Sequence, residues 1–323
     1  MSFDVFVTRH LTPDAEKKLN AFCNAEYWPG KTPPPYDVLL EKTQNADGLI
    51  CLLTDPIDRK IIEDAKNLKV ISQVAVGVDN IDIKAATENN IPVGHTPDLL
   101  TEATADLAFT LMLAAARRLG EAIDYAREGH WQTWELTNLL GADLHGRRLG
   151  IIGMGRIGQA VARRAVGFNM QVIYFNRSRA PKIEQELGVS YVPFEELLQS
   201  ADFISLHVPL NKESKGLIGA EQLKLMKDSA VLVNTARGEV VDTNALLDAL
   251  KSNQIAYAAL DVTDPEPLPH NHELYDLPNI IITPHIGSAT RSARNDIALL
   301  AVENLIAGLE RRHLPKAVVQ RKS

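Results

Sequence analysis

The stretch Leu149-Gly-Ile-Ile-Gly-Met-Gly-Arg-Ile-Gly158 restricts the fold more than any other part of the chain. Strand-like apolar residues run into Gly153-x-Gly155-x-x-Gly158, and a helical pattern, Gln159 to Ala165, starts at once. A second apolar strand, Met170 to Phe175, follows where a βαβ unit needs one. A tight turn, a close backbone approach to a pyrophosphate and close helix–sheet packing each require a residue without a side chain. The three glycines fill those places, and the helix N-terminus supplies the field that holds phosphates. A Gly-rich turn that binds nothing is the alternative for any such motif; the flanking strands and helix favour a dinucleotide.

The end of the second strand bears on which dinucleotide. A carboxylate about 20 residues past the glycines would accept hydrogen bonds from the adenosine ribose and repel a 2′-phosphate. Here the strand ends Tyr174-Phe175-Asn176-Arg177-Ser178, with no acid. Arg177 offers a planar cation matched to a phosphate, while Asn176 and Ser178 offer neutral hydrogen bonds. This reading favours NADP(H), with NAD(H) open if Arg177 and Arg179 form a solvated loop.

A chain of 323 residues has room for two domains, and 45% hydrophobic residues supply the cores. The net charge of −7 argues against nucleic acid or an anionic membrane as main partner. Cys23 and Cys51 have no metal-ligand spacing and form no disulfide framework, which fits a reducing, cytoplasmic setting. Met1 to His10 alternates as a strand and carries Asp4 and Arg9, unlike a secretory signal. The apolar run Leu107 to Ala116 is too short to span a bilayer.

Up to residue 98 the chain alternates strands (Phe3–Val7, Gly48–Leu53, Val70–Val76) with helices (from Thr12-Pro13, and Asp58–Ala65). Lys31–Tyr36 reads as a Pro-rich surface loop, and Asp79 and Asp82 as caps of a following helix. Thr101 to Leu119 reads as one long helix, apolar nearly all round, hence buried at a domain junction or subunit interface. Gly129 to His145 is irregular yet holds Trp131 and Trp134, bulk that suggests packing on something, a second subunit included. Strands Asp202–His207, Ala230–Asn234, Ile255–Leu260 and Asn279–Thr283 extend the dinucleotide domain. The last helix, Ala289–Glu310, is expected to cross back to the first domain. The order predicts an α/β protein of two doubly wound parallel-sheet domains: 1–98 with 289–323, flavodoxin-like and substrate-binding, and 99–288, a Rossmann dinucleotide-binding domain.

Four of these strands end in residues able to do chemistry: His207-Val-Pro209, Arg237-Gly238, Glu266-Pro267 and His285-Ile-Gly287. Reducing a 2-oxo acid needs a hydride at carbon and a proton at oxygen. An imidazolium supplies the proton near neutral pH, a carboxylate on its other nitrogen holds the ring, and a guanidinium grips the substrate carboxylate. His285 is thus the candidate acid/base, Glu266 its partner and Arg237 the substrate anchor. The backbone of Val76-Gly77-Val78 offers an anion nest for the substrate carboxylate. Each has a plainer alternative: a structural histidine, an exposed proline turn around Glu266, a helix-entry turn at Arg237. His270 and His272 lack a third ligand, and there is no nucleophile motif or zinc spacing, so no metal is expected.

With these residues in place the chain resembles the D-isomer-specific 2-hydroxyacid dehydrogenases. The carrying motifs are Val76-Gly-Val-Asp-Asn-Ile-Asp82, Thr101-Glu-Ala-Thr-Ala-Asp106, Gly150 to Gly158, His207-Val-Pro-Leu210, Asn234-Thr-Ala-Arg-Gly238, Asp261-Val-Thr-Asp-Pro-Glu-Pro267 and Thr283-Pro-His-Ile-Gly287. They span nearly the whole chain. The resemblance implies an Arg237–Glu266–His285 constellation. It also implies cofactor contacts at Thr104, Arg156, Ile157, Pro209, Ala236, Asp261 and Gly287, with His207, Thr235, Arg237 and His285 beside them. It further implies a cleft between two domains and a homodimer. Asp261-Val-Thr263 onward and His130-Trp-Gln-Thr-Trp134 are similar to the glyoxylate/hydroxypyruvate reductase branch, where a partner's aromatic residue can help close the pocket. The expected activity is NADPH-dependent reduction of those two acids. A 2-oxogluconate-type sugar-acid reductase and, from another class, a dinucleotide-sensing co-regulator are the alternatives.

Overall fold

The computed structural model describes residues 3–321; Met1 and Ser2, which open the stretch read as the first strand, and residues 322–323 of the first domain lie outside them. In chain order the elements begin β1 (Asp4–Val7), α1 (Pro13–Asn20), β2 (Asn24–Tyr27), α2 (Tyr36–Asn45), β3 (Gly48–Cys51) and α3 (Arg59–Asp64). Next come β4 (Val70–Gln73), α4 (Ile83–Glu88), β5 (Val93–Gly94), α5 (Thr101–Ala116) and α6 (Leu119–Arg127). Then follow β6 (Arg148–Ile152), α7 (Arg156–Val166), β7 (Gln171–Phe175), α8 (Pro181–Leu187), β8 (Ser190–Tyr191), α9 (Phe194–Ser200) and β9 (Phe203–Leu206). The chain finishes with α10 (Ala220–Leu225), β10 (Val231–Asn234), α11 (Thr243–Lys251), β11 (Tyr257–Leu260), β12 (Ile280–Ile282), α12 (Arg291–Leu309) and β13 (Ala317–Val319).

Two compact units result, Met1–Leu100 with Ala289–Ser323, and Thr101–Ser288. The first has a sheet of order β13-β5-β4-β3-β1-β2. Its five parallel strands follow the flavodoxin order 2-1-3-4-5, and β13 adds an antiparallel edge. Alternation along the strands serves both faces. Phe6, Leu49, Cys51, Ile71 and Val93 meet residues of α2, α3 and α4, while Val5, Val7, Ile50 and Val70 meet α1 and α12. Helix α12 seats on this sheet through apolar residues such as Val302 and Leu305 and through buried Asn304, which donates to the carbonyl of His95.

The second unit has the order β12-β11-β10-β9-β6-β7-β8, every pair parallel. Numbered within the unit this is 7-6-5-4-1-2-3, a Rossmann sheet with one added strand. Leu149, Ile151, Val231, Val233 and Ala259 face α5 and α7; Ile152, Ile204, Leu206, Leu232 and Leu260 face α9, α10 and α11.

Several elements differ from the sequence reading. The long helix ends at Ala116 rather than Leu119: the Ala116 carbonyl accepts from Ala142 N–H, and Arg118 turns left-handed (φ 52°) with its guanidinium on Glu121. The buried side of α5 lies in the core of its own unit, against α7, β10 and β11. Strand β4 stops at Gln73, not Val76, because the Gln73 amide donates to Asn80 Oδ1 and the Gly77 carbonyl, folding the chain back. Asp82, not Asp79, caps α4, accepting from Ala85 N–H. Trp131 and Trp134 are 69% and 78% exposed in the single chain. Among the described residues no helix is long and apolar enough to cross a membrane.

Candidate active site

Because the second sheet is parallel throughout, its carboxyl ends share one edge, where such folds bind ligands. Arg237, Glu266 and His285 follow β10, β11 and β12, three adjacent strands.

Arg237 is presented by a clamped turn. Buried Asn234, the last residue of β10, accepts from Ala236 N–H (3.0 Å) and donates to the Arg237 carbonyl (2.8 Å). The guanidinium donates in turn to the Ala236 carbonyl (2.8 Å). Gly238 is there for contact: a Cβ would collide with the carbonyl of Thr263, so the Arg237 turn and the segment leading to Glu266 approach backbone to backbone. Sequence reasoning does not single out Asn234 or Gly238; an Asn at a strand end, two and three residues from the groups it ties, is the signal for the clamp.

Glu266 Oε1 lies 2.6 Å from His285 Nδ1, a short charge-assisted contact, and both side chains are about three-quarters covered or slightly less. The peptide bonds before Pro265 and Pro267, on either side of Glu266, are cis. His285 itself is left-handed (φ 51°), a conformation that costs a non-glycine residue energy and has to be held. Asp261, 2% exposed, holds it. Asp261 Oδ1 accepts from Thr283 Oγ1 (2.6 Å) and Ile286 N–H (2.8 Å), Oδ2 accepts from Gly287 N–H (2.7 Å), and the Asp261 carbonyl accepts from His285 N–H (3.0 Å). Asp261, for which the resemblance implies a cofactor contact, builds the histidine loop. Thr104 of α5 packs beside Gly287 and Asp261.

The other half of the edge is shaped for a dinucleotide. The three glycines separate by cause. Gly153 (φ 102°) would put a Cβ 2.6 Å from the His207 carbonyl oxygen, and Gly158 would drive one into the Gly153 carbonyl oxygen and against Ile151. Gly155 would meet no protein atom at all; the bare backbone at the start of α7 makes sense if a ligand approaches there. Two polar atoms at neighbouring strand ends, His207 Nδ1 and Thr235 Oγ1, are sealed from solvent without a hydrogen-bond partner within the chain, as ligand-facing groups would be. His207 Nε2 sits 2.8 Å from Ser205 Oγ, and burial pushes the imidazole pKa down to about 4, so the ring is neutral. These features fit a nicotinamide dinucleotide. Arg156 and Ile157 start α7, and Pro209 and Ala236 lie just beyond β9 and β10.

The remaining predicted residues divide between the glycine turn, the surface and the first unit. Asn176 turns inward: its Oδ1 accepts from Met154 N–H (2.9 Å) and braces the glycine turn. Arg177 is exposed and paired with Glu213 (2.9 Å), Arg179 is bidentate on Glu184, and Ser178 is exposed. Val76 and Gly77 belong to the first unit, where the Val76 carbonyl lies 3.0 Å from His95 Nδ1. His272 caps a short turn by accepting from Leu274 N–H. Among the described residues no three His, Cys, Asp or Glu side chains are grouped to hold a metal.

A fold of this order with a Glu–His pair at its carboxyl edge defines a dinucleotide-dependent oxidoreductase, and the comparisons give its family. Residues 109–287 match the D-isomer specific 2-hydroxyacid dehydrogenase, NAD binding domain. The chain is 52% identical to a glyoxylate reductase of Thermococcus litoralis over 94% of its own length and 92% of that protein. Among solved structures, a protein of Thermus thermophilus is 50% identical with a TM-score of 0.93, over 98% of this chain and all of that one. A glyoxylate reductase of Paecilomyes thermophila is 34% identical with a TM-score of 0.87, each chain 99% covered. The chain belongs to the D-isomer specific 2-hydroxyacid dehydrogenase family. Within it, the similarity is to the glyoxylate reductase branch.

Proposed function

We propose that this oxidoreductase reduces glyoxylate and hydroxypyruvate to their 2-hydroxy acids with NADPH as preferred reductant. The observation that carries the reading is the 2.6 Å Glu266–His285 contact on the strand next to the Arg237 turn. When bound, the nicotinamide supplies the hydride. With Nδ1 engaged by Glu266, which fixes the ring, the imidazole gives its proton from Nε2 to the carbonyl oxygen of the substrate. The Arg237 guanidinium holds the substrate carboxylate and polarises the carbonyl. In this reading 1–98 with 289–323 is the substrate domain, with the backbone N–H groups of Val76 and Gly77 as its own anion-binding group, and 99–288 is the cofactor domain. The names borne by the relatives support glyoxylate, and the similarity of Asp261-Val-Thr263 onward to the glyoxylate/hydroxypyruvate branch supports hydroxypyruvate; Arg177 at the end of β7, without an acid beside it in sequence, supports NADPH.

The enzyme acts as a homodimer in the cytoplasm in this reading. The exposed apolar residues Trp131, Trp134, Leu136 and Leu140 support the first and the buried free thiols of Cys23 and Cys51 the second. The test is kcat/KM for glyoxylate, hydroxypyruvate, pyruvate and 2-oxogluconate, each with NADPH and NADH. We expect the first two with NADPH to lead; a lead for 2-oxogluconate overturns the substrate, and tight dinucleotide binding without turnover overturns the enzyme reading. His285→Ala should lower kcat by about 100-fold or more while leaving dinucleotide affinity nearly unchanged. Equal losses in both would remove the acid/base role.

A further inference from the structure

Strand β7 ends without the acid that a ribose-binding site uses, yet the structure brings an acid to the same place from elsewhere in the chain. Glu213, in the loop after β9, sets Oε2 2.9 Å from Nη1 of Arg177. The loop that carries it is built rather than slack. Asn211 Oδ1 accepts from Glu213 N–H (2.8 Å) and Ser214 N–H (3.0 Å), and Ser214 Oγ donates to the Pro209 carbonyl (2.6 Å). In the sheet β6 lies between β7 and β9. The Arg177–Glu213 pair therefore spans the carboxyl end of β6, where the order of strands reverses and where the glycine turn waits for phosphates.

We propose that Glu213 is a specificity-determining residue for the dinucleotide: it supplies the missing strand-end carboxylate, accepting from a ribose 2′-hydroxyl and opposing a 2′-phosphate, so that the site retains NADH alongside NADPH. The proposal rests on the reading of Arg177 as the partner of the phosphate. Both side chains are mostly exposed, 78% and 70%, so the ion pair opens at little cost when a ligand enters. The charge does not leave with it. A carboxylate within reach of the guanidinium is also near any phosphate that the guanidinium binds, and a phosphate of nearly two negative charges then meets a third.

The test is calorimetric titration with 2′,5′-ADP and 5′-AMP, together with kcat/KM for NADPH and NADH, in Glu213→Gln and, separately, Arg177→Ala. Glu213→Gln should raise preference for the 2′-phosphorylated member of each pair about five- to tenfold at low salt, and the gain should shrink at high salt as the charges are screened. Arg177→Ala should lower that preference. If Arg177→Ala lowers it and Glu213→Gln leaves it unchanged, the role of Glu213 is overturned while the Arg177 reading stands. If Arg177→Ala itself leaves the preference unchanged, the Arg177 reading falls, and the Glu213 proposal with it.

Discussion

His207 shows how a single side chain ties the site to the acid stability of the protein. Its pKa, about 4 in the fold, lies below the ordinary 6.5 of an imidazole because burial disfavours the charge. Between these values the unfolded chain holds a proton that the folded chain does not, so stability falls as the pH falls through that window and is untouched above it. By pH 5 this one group withdraws about 2 kcal/mol. We expect His207→Gln to lose that much less stability than the parent between pH 7 and pH 5, measured by urea unfolding of the cofactor-free protein; parallel losses would mean that the ring is protonated in the fold. His207 was visible in the sequence as a strand-end residue, but its neutrality was not, since that depends on neighbours brought in by other strands. The same holds for Asp261 and Asn176. Their motif positions were plain, yet their oxygens turn to backbone N–H groups that only the folded chain places within reach.

At the scale of elements, β6, the glycine turn and α7 make a joint in which Gly153 and Gly158 are required by contacts within the protein and Gly155 is not. Gly158→Ala forces a methyl into the Gly153 carbonyl, so α7 must lift from β6; overpacking of this kind costs about 1–3 kcal/mol. Gly155→Ala meets open space and should leave the melting temperature within a degree or two. We expect the affinities to run the other way for Gly155→Ala, with dinucleotide binding at least tenfold weaker by fluorescence titration at unchanged stability. A Gly155→Ala variant that binds normally would remove the argument for close approach of the pyrophosphate. Elements with strong periodicity and a start signal were legible before the structure: β6, α7 and the strands that carry Arg237, Glu266 and His285. Those set by tertiary contacts were not. Strand β2 is a half-exposed edge with a polar sequence, Asn-Ala-Glu-Tyr, and is fixed by pairing with β1. The end of α5 carries no glycine or proline and is fixed by Ala142 taking the Ala116 carbonyl.

For the whole molecule the order of the chain and the order of the units differ. The first unit is completed by a helix from the far end of the sequence, and Val302 and Leu305 of α12 are fully buried on its sheet. Each such side chain contributes about 1.5–3 kcal/mol by burial. A chain stopped after Ser288 should therefore lose the first unit and keep the second: limited proteolysis should leave a protected fragment close to 101–288 that still binds a dinucleotide. Protection of 1–100 in that shortened chain would show that α12 is dispensable. The crossing back of this helix was legible from an unfinished count of strands and helices in the first hundred residues, although the antiparallel edge β13 that follows it was not.

That return of α12 also gives the protein a timetable. During synthesis Leu100 is made 209 residues before Leu309. At about 5–20 residues per second the interval is about 10–40 s. The second unit is contiguous and can close as it emerges. The first has to wait, its sheet uncovered on the face that α12 will occupy, until Arg291–Leu309 has left the ribosome.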